Sequence, residues 1–434
     1  MEICPIQDLE LEKLLIELRK GLLLALGDKK STLNLIKFQN ALALQCFTNE
    51  YIYNETDKET AAVRCLEKSI EECTEGGRTP DPYEVVCLAS YRPLFSYEWA
   101  QKLLDIETLS AVVKRQIVDN NEENKIRKTI KIVSPIKNAV SLKVRGQYED
   151  SPYPRWVNTK LINPSMTIGD VFKLGQLRAL VKSNKVVLPD APEVLVAGCG
   201  TGQHALSVAT RFKDCRVTAI DLSLNSLSYA KRKTEQLAIT NIDYFQADIL
   251  DVCKMEKQFD VIESVGVLHH MEDPIKGWRA LTESLKPNGI MRIGLYSRLA
   301  RQNIIETRKI LSNTEFPPSR METIELRQKI IHGSYPEVYN LSKAHDFYSL
   351  STFRDLLLHV QEHTFTLPDL KETIETLGLT FCGFEFQDTR ILNLFRKENL
   401  RPDDIYDLDT WHQFEKQNPS TFSGMYQFWV QLNS

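Results

Sequence analysis

The sequence contains no C-x-x-C pair and no uninterrupted apolar run of about 18 residues. It also lacks a basic cluster and any repeat near the period of about 34 residues that marks tetratricopeptide arrays. Each absence removes a class of protein. Nine cysteines, an odd number and scattered, argue against a disulfide framework and for reduced thiols in a cytoplasm. Without a long apolar run there is no membrane span to expect. The opening Met1-Glu2-Ile3-Cys4-Pro5 is acidic, with no charged segment leading an apolar one, so no secretory leader is expected. Net charge is −4 and the basic residues are dispersed, which argues against a nucleic-acid partner. Lys231-Arg232-Lys233 reads as the solvated face of a helix. A chain of 434 residues exceeds one ordinary core, so two or three folding units are expected.

What is present is concentrated in the middle. Val194 to Ala197 is a short apolar run that feeds Gly198-Cys199-Gly200-Thr201-Gly202. A helix is expected to open near Gln203, and a second apolar strand, Arg216 to Ile220, ends in Asp221. Glycines admit positive φ and close approach of a ligand to the backbone. A carboxylate at the next strand tip suits a ribose diol, because it accepts from both hydroxyls. The dinucleotide fingerprint would place a third glycine where Gln203 stands, so the spacing departs from the pyrophosphate pattern. Cys199 reads as a small residue that fits the loop.

The loop resembles motif I of the class I S-adenosylmethionine-dependent methyltransferases. Asn241 to Ile249 resembles their third strand, which ends in the acid Asp248. Gln258 to His270 resembles the fourth strand with a "vLHH" loop. Leu285 to Leu295 resembles the "LKPGG" turn and fifth strand, with Asn288 in place of a glycine; asparagine tolerates the left-handed backbone. A further resemblance is to bacterial methyltransferases often grouped with tetratricopeptide repeats. It rests on Gln147 to Trp156 (QYE-x-x-PYPRW), Gly294 to Arg301, Arg354 to Thr366 (RDLL-x-HVQEH) and Trp411 to Trp429. The resemblance implies an α/β, Rossmann-like, seven-stranded methyltransferase sheet with helical insertions, and S-adenosylmethionine as cofactor. It implies that Gly198, Gly200 and Gly202 line the methionyl and ribose path. Asp221 would then hold the ribose, Asp248 the adenine amine, and Ile249 a neighbouring contact.

Residues 1–145 read as an irregular all-α domain, with helices at Leu9 to Leu26 (Gly27 as stop), Ser31 to Phe47 and Glu59 to Cys73. Shorter helices fit Asp81 to Ser90, Tyr97 to Leu104 and Ser110 to Val118. Residues 146–189 form a linker and lead-in helix; two prolines, Pro152 and Pro154, force extended backbone. Residues 190–434 form the α/β domain, with insertions at about 297–363 and 387–424. Thr366 is expected to cap a helix that Gly378 closes, followed by a strand from Leu379 to Phe386 and a last one from Met425 to Leu432.

His269 and His270 are the candidate general bases, since imidazole titrates near neutrality. Tyr153, Arg155, Tyr296, Arg354, His359 and His363 are candidate substrate residues. If Ser351 to His363 is helical, Asp355, His359 and either Glu362 or His363 share a face; a polar wall for a substrate carboxylate or amine is favoured there over a structural Asp355–His359 bond, with a divalent metal on Asp355, His359 and His363 as the third reading. The sequence therefore suggests methyl transfer to a small molecule or peptide side chain. The alternative is a cofactor-binding regulatory module that docks a protein partner through residues 1–145.

Overall fold

The computed structural model describes residues 1–26, 33–178, 189–311, 319–386, 388–398 and 401–433. The expected stop Gly27, the start Ser31 of the second helix, and parts of the linker and both insertions lie outside the described residues. Contacts divide the chain into two units. One is Met1–Lys128 with Tyr153–Asn158 and Ile310–His359; the other is Thr129–Pro152, Thr159–Lys309 and Val360–Ser434. The linear division expected near residue 145 thus differs from the division by contacts.

The helical unit is built from well-marked helices. Asp8 accepts from the amides of Glu10 and Leu11 to start Leu9–Leu24. Thr56 and Glu59 form a reciprocal capping box on Asp57–Glu75. Asp81 and Pro82 open Pro82–Ala89. Their apolar faces meet in a core that includes Val63, Leu66, Ile70, Val85 and Leu88. Residues 310–359 join this unit through polar anchors. Arg327 makes a two-pronged, fully buried pair with Glu12, at 2.7 and 2.8 Å. Its Nε also donates to the Phe347 carbonyl at 2.7 Å. Glu50 accepts from the Ser351 amide, and Asn49 from the Leu350 amide.

The second unit holds one sheet: β1 (Lys131–Ile132), β2 (Glu193–Ala197), β3 (Arg216–Asp221), β4 (Ile242–Gln246), β5 (Phe259–Val265), β6 (Leu285–Leu295), β7 (Leu379–Phe384) and β8 (Tyr426–Leu432). Their order is β1-β4-β3-β2-β5-β6-β8-β7. β1 to β6 pair in parallel, and β8 runs antiparallel between β6 and β7. The described sheet has eight strands, which corrects the expected seven. The extra strand is two exposed residues paired with Phe245 and Gln246, too short to show any alternation in sequence. The antiparallel last strand is as expected. So is the helix Leu367–Thr376, capped by Thr366 and followed by Gly378 at φ 66°. Asn288 holds its turn at φ 61°.

A second correction concerns Ser351 to His363. The helix is only Leu350–Leu357. Beyond it the amides of Val360, His363 and Phe365 donate to Gln147, His269 and Tyr296 instead of to helical carbonyls. The expected helical face of Asp355, His359 and His363 therefore does not form. Among the described residues, no helix is long and apolar enough to cross a membrane.

Glu12→Gln leaves the Arg327 guanidinium buried without its counter-charge, which costs about 3–5 kcal/mol. Denaturant unfolding should register a loss of that size, whereas Leu14→Ser, on an exposed position of the same helix, should change stability little.

Candidate active site

β2 is flanked by β3 and β5, so successive crossovers leave it in opposite directions along the sheet. Ligands of open α/β sheets settle at the carboxyl ends of strands at such a point. Three loops gather here: Gly198–Gly202 after β2, the turn at Asp221 after β3, and Gly266–His270 after β5. The loop glycines sit at φ 77°, 51° and 86°. A Cβ on Gly198 would lie 2.4 Å from Val267, and one on Gly202 would lie 2.6 Å from Ala230. The loop is therefore pressed against its own scaffold, and alanine would push it out.

Asp221 locks the loop to the next strand. Its Oδ2 accepts from the Gly200 amide at 2.8 Å and its Oδ1 from the Ser223 amide at 2.9 Å. Burial pushes this carboxyl above its usual range, opposed by those amides and reinforced by the charge of Glu149. An ionised carboxylate has about four acceptor sites, more than these amides occupy, so its oxygens fit the hydroxyls of a ribose diol. Asp248 is buried and accepts from the Leu250 amide at 3.0 Å; Ile249 beside it is buried too.

Both histidines of the β5 loop are buried. His270 Nδ1 lies 2.8 Å from the Gln361 carbonyl. A carbonyl only accepts, so in a neutral ring the proton sits on Nδ1 and the lone pair on Nε2. His269 packs on Tyr296 with ring centroids 4.0 Å apart, and its carbonyl accepts from the His363 amide. The Arg301 guanidinium lies 3.5 Å from the Tyr296 ring centre, a cation–π contact. Arg301 is held by both oxygens of buried Glu362, at 3.1 and 2.9 Å, and Arg308 meets the same carboxylate at 3.0 Å. The sheet unit thus brings together His269, His270, Tyr296 and His363. Tyr153, Arg155, Arg354 and His359 belong to the helical unit, where the Arg155 guanidinium packs on Phe47 at 5.0 Å.

The sequence did not pair the members of two ionic groups. One is Arg301–Glu362–Arg308, whose members sit inside the quoted motifs without any spacing that pairs them. The other surrounds Glu263, fully buried in β5. It is bonded to His204 at 2.8 Å, to Arg292 at 3.2 Å and to Arg211. Burial alone would raise this carboxyl; Arg211, His204 and Arg292 outweigh it and hold it well below the usual range. A glutamate amid an apolar strand was the available signal.

Residues 194–289 match the family model of a methyltransferase domain. An uncharacterised Synechococcus protein is 29% identical over 236 residues, 51% of this chain and 56% of that one. The (S)-coclaurine N-methyltransferase of Papaver somniferum is 32% identical over 104 residues, 24% of this chain and 29% of that enzyme. The structure of PKMT2 from Rickettsia typhi in complex with AdoHcy aligns at TM-score 0.45 and 17% identity, covering 64% of this chain and 55% of that one. The chain therefore spans little more than half the length of the first relative and less than a third of the second. The match to a methyltransferase domain is confined to residues 194–289, the stretch that carries the glycine loop, Asp221, Asp248 and the two histidines.

Two outcomes follow from the electrostatics. Glu263→Gln removes the buried carboxylate that Arg211 and Arg292 share and leaves them Glu385, at 3.9 and 3.0 Å, so it should cost about 3 kcal/mol in chemical denaturation. Because the folded Glu263 carboxyl is depressed, its stabilisation is present above the ordinary carboxylate range and is lost as pH falls toward the folded value. Asp221 has the opposite sign: its carboxyl is raised, and only the ionised form accepts from both hydroxyls. S-adenosylhomocysteine affinity should therefore begin to fall on acidification while still above about pH 4, the ordinary aspartate value. Titration calorimetry showing constant affinity down to that pH would contradict the assignment.

Proposed function

We propose that this chain transfers the methyl group of S-adenosylmethionine to an oxygen or nitrogen acceptor on a small polar metabolite or a peptide side chain. The observation that carries this reading is the Asp221 carboxylate, bonded at once to the glycine loop and to the turn after β3. The domain match over residues 194–289 supports it. So does the likeness to an enzyme named as an N-methyltransferase. The QYE and RDLL motifs place the chain, in our reading, beside the bacterial enzymes they resemble.

When bound, S-adenosylmethionine supplies a methyl on a sulfonium, which is open to in-line displacement. The chain's own residues then bind, orient and move a proton. In this reading Gly198, Gly200 and Gly202 line the methionyl and ribose path, Asp221 holds the ribose hydroxyls, Asp248 faces the adenine amine, and Ile249 gives apolar contact. His270, with Nδ1–H directed to the Gln361 carbonyl, takes the acceptor proton on Nε2. His269 shapes the wall through Tyr296. Tyr296 and His363 are the acceptor contacts of the sheet unit. Tyr153, Arg155, Arg354 and His359 remain proposed substrate residues carried by the helical unit.

The test uses purified protein, methyl-labelled S-adenosylmethionine and whole or desalted cell extract, with label partitioned by acid precipitation. Label that stays soluble with whole extract alone is the expected result. Label in the precipitate would shift the acceptor to a macromolecule. Cofactor binding with no transfer to either fraction would replace this reading with a regulatory module. Gly200→Asp should abolish S-adenosylhomocysteine binding in calorimetry, because a side chain and a charge enter the loop beside Asp221.

A further inference from the structure

We propose that Glu149, which lies outside the matched domain, is a positioning and specificity residue of the cofactor site; this rests on the cofactor reading given above. The helix Ala139–Asp150 ends against the turn that follows β3. Glu149 Oε1 accepts from the Leu224 amide at 2.8 Å, and its Oε2 from the Asn225 amide at 3.3 Å. Asn225 Nδ2 donates back to the Glu149 carbonyl at 2.8 Å. Ser223 Oγ donates to the Tyr148 carbonyl at 3.1 Å while accepting from the Ser226 amide at 3.1 Å. Residues about 75 positions apart in sequence are thereby clamped together at the turn that begins with Asp221.

The clamp has two chemical consequences. Leu224 and Asn225 open a 13-residue helix, and the amides at a helix N-terminus attract anions. Here the anion is the chain's own carboxylate, whose side chain is only 16% exposed. That anchor fixes the Ser223 amide, and with it the Oδ1 edge of Asp221. The Glu149 charge already acts on the Asp221 carboxyl, so a phosphate on a ribose hydroxyl held by Asp221 would be repelled by both negative charges while the helix amides are already engaged. The site selects an adenosine with an unsubstituted ribose diol. Arg145, 3.7 Å from Glu149 and a third exposed, is too screened to reverse that preference.

The experiment compares the full chain with Glu149→Gln and Asn225→Ala. It uses calorimetry with S-adenosylhomocysteine and with adenosine 2′-phosphate, and amide exchange at Leu224 and Asn225 in the ligand-free protein. The wild type should bind S-adenosylhomocysteine and reject the phosphate. Glu149→Gln should weaken S-adenosylhomocysteine roughly tenfold, admit adenosine 2′-phosphate, and speed exchange at both amides. Asn225→Ala loosens the clamp without changing charge; it should weaken S-adenosylhomocysteine by a smaller factor and keep the phosphate excluded. Unchanged affinities in both variants would overturn the inference. A wild type that binds no S-adenosylhomocysteine, yet shows Glu149-dependent exchange at Leu224 and Asn225, would overturn the cofactor reading and leave the clamp in place.

Discussion

One carboxylate, Asp221, is the constraint on which the candidate site depends. The β2 loop carries three positive-φ glycines and has little conformational preference of its own. It is fixed because its central amide donates to Asp221, while the Gly198 and Cys199 amides donate to the Ile220 carbonyl. Strand order brings these groups together: β2 and β3 pair in register up to Ala197 and Ile220, so loop and acid emerge side by side. Burial disfavours the charge, and the backbone amides on its two oxygens offset only part of that cost.

Beneath the sheet and within the helical unit, buried ionic groups do a different job. Glu263 with Arg211 and Arg292 fixes the α/β layer; Glu12 with Arg327 fixes residues 310–359 on the helical unit. The net contribution of such pairs is small, because desolvation consumes most of the Coulomb gain. Loss of one partner is severe, since the other stays buried and charged. They therefore specify which segment docks where more than they add stability.

Much of the α/β unit was legible because its signals are local. Apolar runs of strand length, the glycine loop, the Thr366 cap and the left-handed Asn288 each depend on a few adjacent residues, and each appears as expected. The failures were non-local. Ser351 to His363 has helical spacing, yet the amides of Val360 and His363 find partners on Gln147 and His269, and these tertiary hydrogen bonds outcompete further turns of helix. β1 exists only because an edge of β4 accepts two residues.

By itself the sequence determined the order of strands and loops, the glycine path, and the acids Asp221 and Asp248 at strand tips, because backbone propensity and motif spacing are read along the chain. Only the tertiary structure decided that Glu149 grips the turn after Asp221, that Glu362 aligns Arg301 over Tyr296, and that residues 310–359 join the helical unit. Charge pairing between distant segments leaves no periodic trace in sequence. It becomes visible only when folding removes the intervening water and leaves each buried charge with a particular partner.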